Sequence, residues 1–228
     1  MGMHKLPLNK IFKCIVKYYS NKIEKNKINN SQFIEWFVGF TDGEGNFTIG
    51  LDKRNQKNNF NFRFMIGLHI DDKPLLEFIL FNLGCGYIID NKDKTASYFI
   101  ITNPDHLKNI LFLLRTILDS FTLNTSKYLD FINFKKALLI KLSHSVQQKY
   151  NNQLYTKKIL DLKNNMNNKC SVFTLPNNQI KITNYWLLGF IEAEGSFYFR
   201  RNTLTPVFSL TLTNIKKPII EAIINFLK

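Results

Sequence analysis

The residues best equipped for chemistry come as two matched pairs of acids. Asp42 and Glu44 lie in "GFTDGEGNF" (residues 39–47), and Glu192 and Glu194 in "GFIEAEGSF" (residues 189–197). In both places a helical run meets glycine just after the second acid, so both pairs fall at helix C-termini. That is the negative end of the helix dipole, where each carboxylate costs a few tenths to ~1 kcal/mol. Taken singly, either pair reads as solvated acids at a frayed helix end. Repeated in one chain, the pattern calls for a counter-charge, and an all-oxygen donor set suits a hard divalent cation such as Mg²⁺. The four histidines (His4, His69, His106, His144) and three cysteines (Cys14, Cys85, Cys170) have no metal-ligand spacing. An odd thiol without a CxxC fits a reducing compartment.

The elements that carry these acids are themselves repeated. "WFVGFTDGEGNFTI" at 36–49 returns 150 residues later as "WLLGFIEAEGSFYF" at 186–199, and "DKPLLEFI" at 72–79 returns 144 residues later as "KKPIIEAI" at 216–223. Two blocks in the same order mark a duplicated unit, and the difference in offset falls in a hairpin, where length is cheap to vary. Each unit reads as helix, hairpin, helix. Ser31 and Asn184 stand at N-cap positions, and Gly45 and Gly195 where a helix would end in the left-handed conformation. Beyond Gly45 the period changes to two: Phe47, Ile49 and Leu51, then Phe60, Phe62, Phe64, Ile66, Leu68 and Ile70, alternate with polar or small residues. Pro74 opens a helix to about Leu83, and a second hairpin pairs 87–90 with 96–102. Two helices, about 104–120 and 126–143, close the unit.

The predicted organisation is a basic leader or arm (1–30), a first unit (31–146), a linker of helix plus loop (147–182) and a second unit (183–228). The second unit is expected to be cut short, because only 33 residues follow Gly195. Its apolar sheet face should therefore be exposed.

Small residues explain how distant acids could meet. Gly39 and Gly43 share a helix face at i and i+4, as do Gly189 and Ala193. Two helices packed through these faces approach below the usual 8–10 Å between axes, and Asp42 or Glu44 comes near Glu192 or Glu194.

The hairpin faces opposite the apolar stripes carry Asn46, Thr48, Arg54, Asn61, Arg63 and His69, and in the second unit Ser196, Tyr198, Arg200, Ser209 and Thr211. Such side chains bond phosphates and base edges, and a two-stranded ribbon fits the major groove. The net charge of +14 and pI near 9.6 call for a polyanionic partner. A membrane surface fits less well: the most apolar stretch, "ILFLLRTIL" at 110–118, is too short to span and carries Arg115.

"FVGFTDGEG" (37–45) and "LLGFIEAEG" (187–195) resemble the two motifs of single-chain LAGLIDADG homing endonucleases, and the resemblance runs from about Ser31 to the C-terminus. It implies an α+β fold of tandem αββαββα units, pseudo-two-fold about the motif helices, with saddle-shaped antiparallel sheets seated on a long double-stranded DNA target. It implies that Glu44 and Glu194 bind Mg²⁺ and are catalytic, and that Asp42 and Glu192 are structural. Lys127 in "LNTSK" is implied as the basic residue near the scissile phosphate. The expected activity is Mg²⁺-dependent double-strand cleavage by a monomer acting as a pseudo-dimer. The alternatives are an intron maturase binding RNA, or a truncated DNA-binding relic. The Lys-, Asn- and Ile-rich composition suits an A+T-rich gene, so the expected setting is a mitochondrial intron.

Overall fold

The computed structural model describes residues 30–52, 59–107, 123–143, 153–166 and 180–228. Helix α1 (Asn30–Glu44) runs straight into strand β1 (Gly45–Asp52), which pairs antiparallel with β2 (Asn59–His69). A 3₁₀ turn (Ile70–Asp72) leads into α2 (Lys73–Leu83), with Pro74 in its first turn. Strands β3 (Tyr87–Asp90) and β4 (Ala96–Ile101) then complete a four-stranded sheet in the order β1-β2-β4-β3. Helix α3 (Lys127–Ser143) lies across this sheet and packs on α4 (Gln153–Asn164). The second copy begins with α5 (Asn184–Glu194), β5 (Gly195–Phe199) and β6 (Pro206–Leu210), and ends with a 3₁₀ turn (Asn214–Lys216) and α6 (Lys217–Phe226).

The period-two reading holds over the centre of the first hairpin and weakens at its ends, where Leu51 and Leu68 are half-buried and Ile70 has left β2 for the 3₁₀ turn. Phe47 and Ile49, with Phe60, Phe62, Phe64 and Ile66, are buried, while Asn46, Asn61 and Arg63 between them are exposed. The cover is aromatic. Phe47 meets Phe131 and Phe134 of α3 at ring distances of 5.6 and 5.4 Å, and Phe62 meets Phe134 at 5.4 Å. Burying several such rings supplies most of the unit's hydrophobic stabilisation, at ~25 cal/mol per Å² of apolar surface.

In the second copy Phe197 and Phe199 are 60% and 62% exposed. Among the described residues no helix lies over β5 and β6 as α3 lies over β1 and β2. The apolar stripe is repeated, but among the described residues its cover is not.

Four local expectations are corrected. Ser31 lies inside α1, which starts at Asn30. The N-cap of α5 is Thr183, whose hydroxyl accepts from the Trp186 N–H at 3.2 Å, and Asn184 is the first helical residue. Gly195 is extended (φ −84°, ψ 149°), and Gly45 also lacks a positive φ. Glycine is needed there for space: a Cβ at Gly45 would stand 2.7 Å from the Thr41 carbonyl oxygen, and one at Gly195 2.5 Å from that of Ile191. The left-handed helix end belongs instead to Gly84 (φ 64°), after α2. A helical turn at 104–107 matches the start of the expected helix at 104–120, whose remainder lies outside the described residues.

Candidate active site

The site grows from the contact between α1 and α5. A Cβ on Gly39 would stand 2.0 Å from the Trp186 carbonyl oxygen, and one on Gly189 2.0 Å from that of Trp36. The two helices therefore touch backbone to backbone about a local pseudo-two-fold. One turn on, a Cβ at Gly43 would fall 2.2 Å from that of Ala193. Each helix stacks its tryptophan on its own phenylalanine, Trp36 on Phe40 (5.1 Å) and Trp186 on Phe190 (4.8 Å). Each indole then reaches across. Trp186 Nε1 donates to Asp42 Oδ2 at 2.9 Å, and Trp36 Nε1 donates to Glu192 Oε2 at 2.7 Å.

The first acid of each pair is thus committed to the interface. Asp42 is fully buried and also accepts from the Asn124 N–H (2.7 Å), the Thr125 N–H (3.0 Å) and the Thr125 hydroxyl (2.7 Å). These donors form the N-terminal approach to α3. A carboxylate at the unfavourable end of α1 is therefore also at the favourable end of α3, which offsets its cost. Burial pushes the Asp42 carboxyl above its ordinary value, and the four hydrogen bonds pull the other way. Asn124 also ties this loop to the approach to α5, donating from Nδ2 to the Lys181 carbonyl at 2.9 Å.

Among the hydrogen bonds described, Glu192 has the Trp36 indole and no counterpart of the Asn124–Thr125 pair. Burial pushes its carboxyl up to about 6, against the opposing effect of that bond. An acid whose folded pKa exceeds its ordinary 4.5 favours the folded state below pH 4.5, and that contribution is lost as pH rises through 6. Glutamine keeps an acceptor for Trp36 and removes the charge. Glu192→Gln is thus expected to gain stability relative to the parent between pH 4.5 and 6, by on the order of 1–2 kcal/mol. Denaturant titrations at pH 4 and pH 7 measure this, and a difference that does not vary with pH would refute the assignment.

The second acids occupy the open end of the same contact. Glu44 and Glu194 are each the last residue of their helix, both half-buried. Their proximity shows in electrostatics. Burial raises the Glu44 pKa, and the charge of Glu194 raises it further, while Lys127 and Lys216 act in the opposite sense. Lys127, first residue of α3, donates from Nζ to the Gly43 carbonyl. Burial pushes the Lys127 ammonium pKa down, and Asp42, Glu44 and Glu194 hold it up. Lys216 Nζ lies 3.1 Å from Glu194 Oε1. The result is two carboxylates and two ammonium groups at the joint mouth of two helices.

Among the described residues no three His, Cys, Asp or Glu side chains converge as a complete metal centre. Two carboxylates are nonetheless a fitting protein share for Mg²⁺, which keeps several waters and takes further oxygens from phosphate.

The other predicted residues fall in two groups. Asn46, Thr48, Asn61 and Arg63 share the open face of the first hairpin, with Thr48 paired to Arg63 in register. His69 stands at the end of β2, where its Nδ1 accepts from the Asp71 N–H at 3.4 Å. Arg54 lies outside the described residues. In the second copy Ser196, Tyr198 and Ser209 are on strands, whereas Arg200 and Thr211 lie just beyond strand ends, because β5 and β6 are only 5 residues each. Sequence reasoning missed three participants: Trp36, Trp186 and Lys216. The tryptophans were signalled by their equal place in the two blocks, and Lys216 by reversing the charge of its repeat equivalent, Asp72.

Comparison with known proteins agrees with this architecture. Residues 37–138 match the family model described as LAGLIDADG endonuclease. Over 198 residues the chain is 33% identical to "Probable intron-encoded endonuclease Cox1-I1b" of Schizosaccharomyces pombe, covering 86% of this chain and 49% of that protein. It is 35% identical over 199 residues to "Uncharacterized mitochondrial protein RF1" of Saccharomyces cerevisiae, covering 86% and 38%. The chain therefore spans half or less of these two relatives. Among solved structures, the LAGLIDADG homing endonuclease I-GzeII in complex with its DNA target superposes with TM-score 0.66 at 26% identity, covering 84% of this chain and 70% of that one. I-SmaMI, bound to uncleaved DNA target in the presence of calcium ions, shares the fold, with TM-score 0.68 at 22% identity over 85% of this chain and 72% of that one.

Proposed function

Because the chain belongs to the LAGLIDADG endonuclease family, we propose that it is a homing endonuclease that cuts both strands of a long, specific duplex DNA site with Mg²⁺, encoded in a mitochondrial intron. The observation that carries this reading is the meeting of the Glu44 and Glu194 helix ends through the Gly39–Gly189 contact. It supports the reading because two hard-oxygen donors, one from each repeated block, come together beside the local pseudo-two-fold between α1 and α5. Bound Mg²⁺ would supply acidification of water and charge stabilisation at phosphorus.

The chain's own residues do the rest. Glu44 and Glu194 hold the cation, one from each unit. Asp42 fixes the start of α3 and so aims Lys127 at the mouth of the site, where its ammonium can meet a phosphate oxygen. The hydrogen-bonding face of the first hairpin, with Arg63 exposed on it, lies along one arm of the duplex, and the excess positive charge steers the approach.

The test starts from random duplex DNA. Duplexes retained by the chain are enriched, sequenced and incubated with Mg²⁺ or EDTA. Double-strand ends at one position, appearing with Mg²⁺ and absent with EDTA, are the expected result. Retention of structured RNA in place of duplex DNA, without cutting, would overturn it. On an enriched duplex, Arg63→Ala should weaken binding by about 1 kcal/mol, and lower the salt slope by about one if the contact is to phosphate.

A further inference from the structure

The two catalytic-end glutamates are neutralised from different places in the fold. Glu44 lies beside Lys127, delivered by α3 of its own unit, and feels Lys216 more weakly. Glu194 has Lys216, whose Nζ sits 3.1 Å from Oε1. The equivalent of Lys216 in the first unit is Asp72, whose charged neighbours are His69 and Asp71 rather than Glu44. The ammonium beside Glu194 is therefore a feature of the second unit alone.

Its placement is firm. Lys216 ends the 3₁₀ turn at Asn214–Lys216, with its N–H bonded to the Thr213 carbonyl at 2.8 Å. Pro218 sets the first turn of α6, and Ile219 and Ile223 anchor that helix in the core. The Lys216 and Glu194 side chains are 17% and 24% exposed, so solvent and salt screen the pair less than a surface ion pair.

We propose that Lys216 is the resident counter-ion of Glu194, so that its ammonium competes with a divalent cation for that carboxylate. The inference rests on the reading of Glu194 as a cation ligand. An ammonium and a divalent ion cannot both contact Oε1 without strong like-charge repulsion. Once displaced, Lys216 has a DNA phosphate as its natural next anion, which would couple cation loading to the presence of substrate.

The test is Mn²⁺ binding to the chain without DNA, followed by the electron paramagnetic resonance signal of the free ion. Five proteins are compared: the parent, Lys216→Met, Lys216→Arg, Glu194→Gln and the Glu194→Gln/Lys216→Met double variant, each checked for an unchanged melting temperature. Lys216→Met should bind Mn²⁺ about fivefold more tightly, and Lys216→Arg should match the parent. The gain should vanish in the Glu194→Gln background. Unchanged or weaker binding by Lys216→Met overturns the counter-ion role while leaving the nuclease reading intact. Parental affinity in Glu194→Gln would overturn Glu194 as a ligand, and both proposals with it.

Discussion

Glu44→Gln and Glu194→Gln are each expected to reduce Mg²⁺-dependent cleavage of an enriched duplex about a thousandfold, while duplex affinity stays within about threefold of the parent. Glutamine matches glutamate in shape but cannot offer an anionic oxygen to a cation. Neither carboxylate belongs to the hairpin face assigned to DNA, so removing a charge that repels phosphate should leave binding intact or slightly improved. The pair should also act as a unit: the double variant should be little slower than either single one, because a half-built cation site is already lost. Single-turnover rates and gel-shift titrations on the same duplex measure the two quantities. Loss of binding in parallel with loss of cleavage would show that these residues hold the fold or the DNA.

The second large effect is on folding. Gly189→Ala places a methyl carbon 2.0 Å from the Trp36 carbonyl oxygen, and Gly39→Ala does the same against Trp186. No rotamer can relieve this, since the intruding atom is Cβ and the obstacle is backbone. The helices must separate, which lengthens both indole bonds to Asp42 and Glu192. A loss of about 3 kcal/mol or more is expected from either substitution, at the upper end for overpacked cores. Gly50→Ala is the control, because a Cβ there meets nothing closer than 3.7 Å. It should change stability by no more than about 0.5 kcal/mol. Denaturant unfolding of the three variants decides. Equal behaviour of Gly189→Ala and Gly50→Ala would disprove the backbone contact.

Much of this architecture was readable from one chain. Alternation of Phe60, Phe62, Phe64 and Ile66 with polar residues named the buried face of β2 correctly, since period and burial are linked by the pleat. Pro74 marked α2, and the glycine spacing marked the faces on which α1 and α5 meet. The two errors at glycine share a cause. The left-handed ends assigned to Gly45 and Gly195 assumed a helix stopping in solvent, whereas each helix passes directly into a strand and glycine is required by a nearby carbonyl. Exposure of Phe197 and Phe199 was not legible from the stripe itself, because the same alternation is buried in the first hairpin.

By itself the sequence determined that a helix–hairpin–helix block occurs twice, that each copy ends a helix in two acids, and that small residues let those helices touch. Repetition and periodicity are properties of the chain alone. It did not determine which acid of each pair does what. Side chains two residues apart on a helix point about 160° away from each other, and either could face the cleft. The docking of α3 and of the opposite indole set their surroundings, giving Asp42 four buried donors and leaving Glu44 at the mouth. Lys216 was decided in the same way. Its charge is written in the chain, but its distance to Glu194 exists only once α5 and the turn before α6 are folded together.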